Sequence, residues 1–92
     1  MELVVAEAID VGDRGTAVFF AAEPRSPLHW GAFRVRVTPP DGAAFEAVAY
    51  VEFVSKGPRE ATALRFPRHS AGHLPIGSRI NVLGIAYAGT PT

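Results

Sequence analysis

Between Ala43 and Ser55 the chain alternates with a period of two. Phe45, Ala47, Ala49, Val51 and Phe53 share one parity, and Glu46, Val48, Tyr50, Glu52 and Val54 share the other. Successive side chains of a strand point to opposite faces, so this stretch predicts a long strand with one dry face and one mixed face. A helix would scatter Phe45, Tyr50 and Phe53 around its axis. Val48, Val51 and Val54 are β-branched and fit a pleated surface better than a helical one.

The rest of the chain follows the same rhythm. Leu3 to Val11 reads as a first strand, with Leu3, Val5, Ile9 and Val11 on one face and Val4, Ala6 and Ala8 on the other. The turn from Val11 to Gly15 contains two glycines, which tolerate positive φ. Thr16 to Ala22 is apolar on both faces, as expected of a central or barrel-closing strand. Two prolines mark Glu23 to Pro27 as a loop. Trp30 to Thr38 alternates again, with Phe33, Val35 and Val37 against Ala32, Arg34 and Arg36. Pro39-Pro40-Asp41-Gly42 turns it into the long strand. A loop that pairs Thr38 with Ala44 sets Arg36 opposite Glu46, Val35 opposite Ala47, Phe33 opposite Ala49 and Trp30 opposite Glu52. A slip of one residue would wet a dry face, so the pattern fixes the register. Lys56-Gly57-Pro58-Arg59 is a turn, and Glu60 to Phe66 a shorter strand with Leu64 and Phe66 inward and Arg65 outward. A polar loop runs from Pro67 to Pro75. The last strand is Arg79 to Tyr87, with Ile80 and Val82 on one face, Leu83, Ile85 and Tyr87 on the other, and a bend or bulge at Gly84. Ala88 to Thr92 reads as a frayed end.

Six strands punctuated by glycine and proline corners predict an all-β fold: a single domain over residues 1–92, built as a small, mostly antiparallel, closed or partly open β-barrel. At 92 residues the chain supports one core and has no room for a large catalytic cleft beside it. It contains no cysteine, which removes disulfides, thiolate metal sites and cysteine nucleophiles and fits a cytoplasmic location. The first ten residues carry Glu2, Glu7 and Asp10 and do not read as a signal peptide. No apolar run approaches the roughly 20 residues that span a bilayer. Nine basic residues balance nine acidic ones, but unevenly. Beyond residue 52, Lys56, Arg59, Arg65, Arg68 and Arg79 face Glu60 alone. Two readings are open: ordinary surface charge that mixes with the acids of the first half on folding, or a basic patch with His69 and His73 at its edge, suited to an acidic protein face or to phosphate.

Asp13-Arg14-Gly15-Thr16-Ala17-Val18 resembles the opening of the second, β-barrel domain of elongation factor Tu and related translational GTPases, where an Arg-Gly-Thr turn enters an apolar strand. Leu74 to Gly84, LPIGSRINVLG, is similar to a later signature of that domain. Phe45-Glu46-Ala47, with Tyr50 and Val51 following, resembles the start of the factor's third domain, also a barrel. The resemblance implies a barrel fold. The chain lacks a Gly-x-x-x-x-Gly-Lys-Ser/Thr phosphate loop, so GTP hydrolysis is excluded. The two barrel-domain signatures also lie farther apart here than in that family.

No residue set makes a convincing catalytic or metal site. His69 and His73 have His-x-x-x-His spacing, which brings two imidazoles together on a helix, but they lie in a loop with no neighbouring carboxylate or thiol. Ser70, His69 and Asp41 are not framed by a nucleophile elbow. Glu46 and Glu52 share a strand face at roughly 20 Å, too far for a glycosidase pair, which works within about 10 Å. The expected function is therefore a noncatalytic binding module without a cofactor or metal, whose ligand is a protein or RNA. The candidate binding residues are Trp30, Arg34, Arg36, Tyr50, Lys56, Arg59, Arg65, Arg68, His69 and His73. If β-strand pairing makes Trp30 and Tyr50 diagonal neighbours, they form an outward aromatic and basic strip; the other reading is a tryptophan that covers a barrel end. Two alternatives stand beside this one. The first is a structural homo-oligomer paired through edge strands. The second is a small enzyme using His29, His69 or His73 as a base.

Overall fold

The computed structural model describes residues 2–24, 28 and 30–86. It is all-β: β1 (Glu2–Asp10), β2 (Thr16–Phe20), β3 (Ala32–Thr38), β4 (Phe45–Lys56), β5 (Arg59–Phe66) and β6 (Arg79–Ala86), with single 3₁₀ turns at Gly12–Arg14 and Ala71–His73. The strands close into one antiparallel barrel in the order β1-β2-β5-β4-β3-β6. Hairpins make the β1–β2, β3–β4 and β4–β5 pairs, which are local. The β2–β5 pair and the seating of β6 between β3 and β1 close the ring. Closure leaves no first or last strand, so pairing between copies through terminal edge strands has no terminal strand to use.

The inner faces supply the core. Val35, Val37, Ala49, Leu64, Phe66 and Ile80 are fully buried, with Leu3, Val5, Val18 and Val51 beside them and Leu28 and Leu74 packed in from the loops. The β3–β4 register is the one the alternation predicts: Phe33 pairs with Ala49, Val35 with Ala47 and Arg36 with Glu46. β2 is apolar on both faces because its outer face is also covered. Ala17 and Phe19 pack with Ala63, flanked by Val11, Val54 and Ala61, outside the barrel.

Two bulges alter the simple alternation. In β1 the register shifts between Val5 and Glu7. Leu3 and Val5 point inward, but beyond the extra residue Ala6 it is Ala8 that packs on the core, while Ile9 is exposed. The expectation that Leu3, Val5, Ile9 and Val11 share one face fails for this reason. In β6, Arg34 pairs with Gly84 and Val35 with Val82, leaving Leu83 as the extra residue. The bulge thus lies at the predicted bend. It carries Ile85 back into line with inward-facing Phe33 rather than with Leu83, although Ile85 stays exposed at the barrel mouth.

Strand limits differ at the ends. β2 stops at Phe20, before the bend at Ala21 and Ala22, and β3 starts at Ala32 rather than Trp30. The readings of His29, Tyr87 and the end segment Ala88 to Thr92 fall outside the described residues, as does the loop segment 25–27. The side chain of Lys56 is outside them too.

Arg14-Gly15-Thr16 fastens the β1–β2 turn to the end of β5. Gly15 has φ of 100°, and a Cβ built there would sit 2.0 Å from the Phe66 carbonyl oxygen. Only glycine permits that approach. Buried Thr16 donates its hydroxyl to the His69 carbonyl at 2.7 Å and shares it with Asp10 Oδ1 at 3.1 Å. Arg14 reaches Glu52 of β4 at 3.2 Å.

Candidate functional site

β5 ends at Phe66 because Pro67 lacks an N–H and turns the chain away. β4 runs on past that point. Its pairing with β5 covers Tyr50 to Lys56, and its pairing with β3 covers Phe45 to Tyr50. Each residue of an antiparallel strand sends its N–H and C=O to the same side, and the side alternates. The Val51 N–H donates to the Gly31 carbonyl at 3.0 Å, on the β3 side. The odd residues of the first half of β4 therefore face β3, and Glu46 and Val48 face the lane that β5 has left. No backbone partner reaches them there among the described residues.

A groove of about 400 Å³ adjoins this lane and extends over the ends of β3 and β6. Glu46, Ala47 and Val48 form one wall, Pro67, Arg68 and His69 the other, and Ala32, Ala86 and Tyr50 complete it. A second hollow of about 550 Å³ lies between the β3–β4 loop and the loop after β5, lined by Pro39, Pro40, Asp41, His73, Pro75 and the largely exposed Ile76 among others.

His69 joins the two hollows. Its ring stacks on Phe45 at 5.1 Å between centroids and 22° between planes. It meets Phe66 and His73 edge-on at 6.1 and 5.9 Å. Its Nδ1 is buried, with no hydrogen-bond partner among the described residues. Burial, reinforced by the neighbouring His73, holds its pKa below the usual histidine value. His69 is thus a neutral packing ring at the barrel end whose backbone carbonyl is gripped by Thr16.

The other candidate residues fall into separate groups. Arg34 and Arg36 straddle Glu46 at 3.9 and 3.4 Å, all three about half exposed. Such a pair is worth at most about 1 kcal/mol. Arg65 is committed to the wall: its Nε donates to Glu52 at 2.7 Å, its guanidinium lies 5.1 Å from the Tyr50 ring centre, and its Nη1 donates to the Arg14 carbonyl. Trp30 is 73% exposed and packs edge-on against Phe53 at 4.8 Å, at the barrel mouth. Tyr50 packs with Arg65, so the two aromatic rings serve different neighbours. Lys56 and Arg59 pair across the β4–β5 turn. Arg59 lies the length of β5, about 23 Å, from the end of the strand near Arg68. Arg68 is exposed, lines the groove and has no carboxylate partner among the described residues.

Of the residues singled out from the sequence, Arg68, His69 and Tyr50 line the groove; the backbone edge at Glu46 and Val48 is not among them. The available signal was Pro67, which ends β5 four residues short of the span needed to cover β4.

Ser70 Oγ lies 3.1 Å from His73 Nδ1. The contact spans one 3₁₀ turn, and no hydrogen bond among the described residues joins Asp41 to either histidine, so no orienting acid completes a relay. Among the described residues no three His, Asp or Glu side chains converge as metal ligands. No helix among them is long and apolar enough to cross a membrane. Comparison of the chain with protein-family models, curated proteins and solved structures finds no match.

Proposed function

We propose that this barrel is a noncatalytic binding module and that its ligand is a segment of another protein, held in the groove between β4 and the Pro67–His69 segment. The carrying observation is the exposed Arg68 beside the uncovered edge of β4. A cation, an aromatic flank at Tyr50 and a small apolar floor converge there, and no carboxylate among the described residues partners the cation.

The charge layout favours a protein ligand over RNA. A single-strand binder needs a track of free cations and open aromatic faces. Here Arg14 and Arg65 are bound to Glu52, Arg34 and Arg36 to Glu46, and the Tyr50 ring is covered by Arg65. Arg59 and Arg68 lie at opposite ends of β5. The likeness of Asp13–Val18 and Leu74–Gly84 to translation-factor barrels supports the architecture more directly than a role in translation.

The test titrates ¹⁵N-labelled protein with a pool of short acidic peptides and, separately, with a mixed-sequence single-stranded RNA at low salt. Peptide-dependent shifts at Val48, Tyr50 and His69 with no response to RNA are the expected result. RNA binding at low salt with silent peptides overturns the reading, as does binding of peptides at a surface away from the groove.

A further inference from the structure

We infer that the groove accepts its partner by strand addition: an extended, acidic segment of another protein takes the lane that β5 vacates and hydrogen-bonds to Glu46 and Val48. The inference rests on the binding-module reading and specifies its mode.

The N–H and C=O of Glu46 and of Val48 point into the groove, and no backbone group of the described residues pairs with them there. A strand edge with free donors and acceptors is a template for another strand. A folded chain normally blunts such an edge with a bulge, a proline or an inward charge, or covers it. Neither bulge nor proline interrupts Phe45 to Tyr50, and its register with β3 is unbroken. The stretch is short, and period two admits two residues facing the added strand. An incoming segment running antiparallel to β4 follows the direction of β5 and makes up to four backbone bonds. Its alternate side chains then lie outside, over Val48 and Tyr50, or inside, against Ala47.

Charge selects the segment. On one wall Arg68 has no carboxylate partner among the described residues, and Arg34 and Arg36 crowd one carboxylate, Glu46, on the other. The rim therefore carries three guanidinium groups against one acid, which favours glutamate or aspartate at the outward positions of the guest.

The experiment uses a capped peptide of alternating glutamate and valine and the intact chain. Hydrogen exchange at the Glu46 and Val48 amides is expected to slow on binding, while amides facing β3 keep their rates. The same peptide N-methylated at the two residues facing β4 is expected to bind about tenfold more weakly or worse, because each methyl group removes a donor. Val48→Pro removes the edge donor without touching the β3 ladder and has the same expected effect. If that variant fails to fold, the methylated peptide still decides. Arg68→Glu is expected to weaken binding and flatten its salt dependence. Peptide binding with unchanged exchange at Glu46 and Val48 and full tolerance of N-methylation overturns strand addition while leaving the groove as a binding site. No peptide binding, or binding by RNA instead, overturns both. Protection of the same two amides in the protein alone, rising with concentration, names a second copy as the occupant and overturns the acidic partner.

Discussion

The Thr16 hydroxyl donates to the His69 carbonyl at 2.7 Å across 53 positions of chain. This bond ties the β1–β2 turn to the wall of the groove. Asp10 completes the tie, since its Oδ1 also accepts the Ala71 N–H at 3.2 Å. The loop after β5 is thus placed by the opposite end of the sequence.

Thr16→Val keeps the shape and removes the donor. It leaves the His69 carbonyl and one Asp10 oxygen without their buried partner, which costs about 1–3 kcal/mol. Thr16→Ser is expected to retain most of the stability. Urea unfolding of the three proteins checks this, with hydrogen exchange at Ala71 reporting whether the loop loosens locally.

Gly15→Ala is expected to be among the most damaging single changes. It combines a positive φ with a Cβ placed against the Phe66 carbonyl, and backbone cannot yield as a side-chain tip can. Gly12 also has positive φ, at 68°, but faces open space. Gly12→Ala should cost only the conformational penalty, about 1–2 kcal/mol. Denaturation midpoints at unchanged slope would show the difference. Equal losses at the two positions would contradict the close approach.

Stability should fall as the pH drops below the ordinary histidine value near 6.5. His69 has a lowered pKa in the folded chain. Its contribution is therefore complete above the unfolded value and is lost as the pH falls toward the folded one, because the unfolded chain takes up its proton first. His69→Phe preserves a ring against Phe45 and removes the titration. Unfolding free energies between pH 7.5 and pH 5 should show a shallower slope in the variant.

Arg65→Ala is expected to lower stability more than Arg34→Ala. Arg65 is mostly buried and loses Glu52, the Tyr50 face and the Arg14 carbonyl together, whereas Arg34 is half exposed on a long contact. The expected losses are about 1–3 kcal/mol for the first and less than about 0.5 kcal/mol for the second. Thermal unfolding at fixed ionic strength separates them.

The legible parts of this fold are those in which one face is wet. β3 and β4 carry Arg34, Arg36, Glu46 and Glu52 on their outer faces, so parity alone aligned Phe33 with Ala49 and Val35 with Ala47. β1 offered no such contrast. Leu3, Val4, Val5, Ala6 and Ala8 are all apolar, and nothing in them marks Ala6 as the residue where the faces exchange. The hold of Thr16 on the His69 carbonyl depends on β2 lying beside β5. That neighbour relation joins distant segments and has no local signature. The groove was hidden for a related reason: it is made by where one strand stops relative to another. Arg68 and Tyr50 were visible as residue types, but the edge between them consists of main chain.

Because β6 is seated between β1 and β3, a nascent polypeptide that has emerged only as far as Ser78 holds two sets of hydrogen-bonding partners waiting for the same missing stave. The cylinder can be sealed only by β6. Until then β1 and β3 lie open to any foreign chain that arrives first.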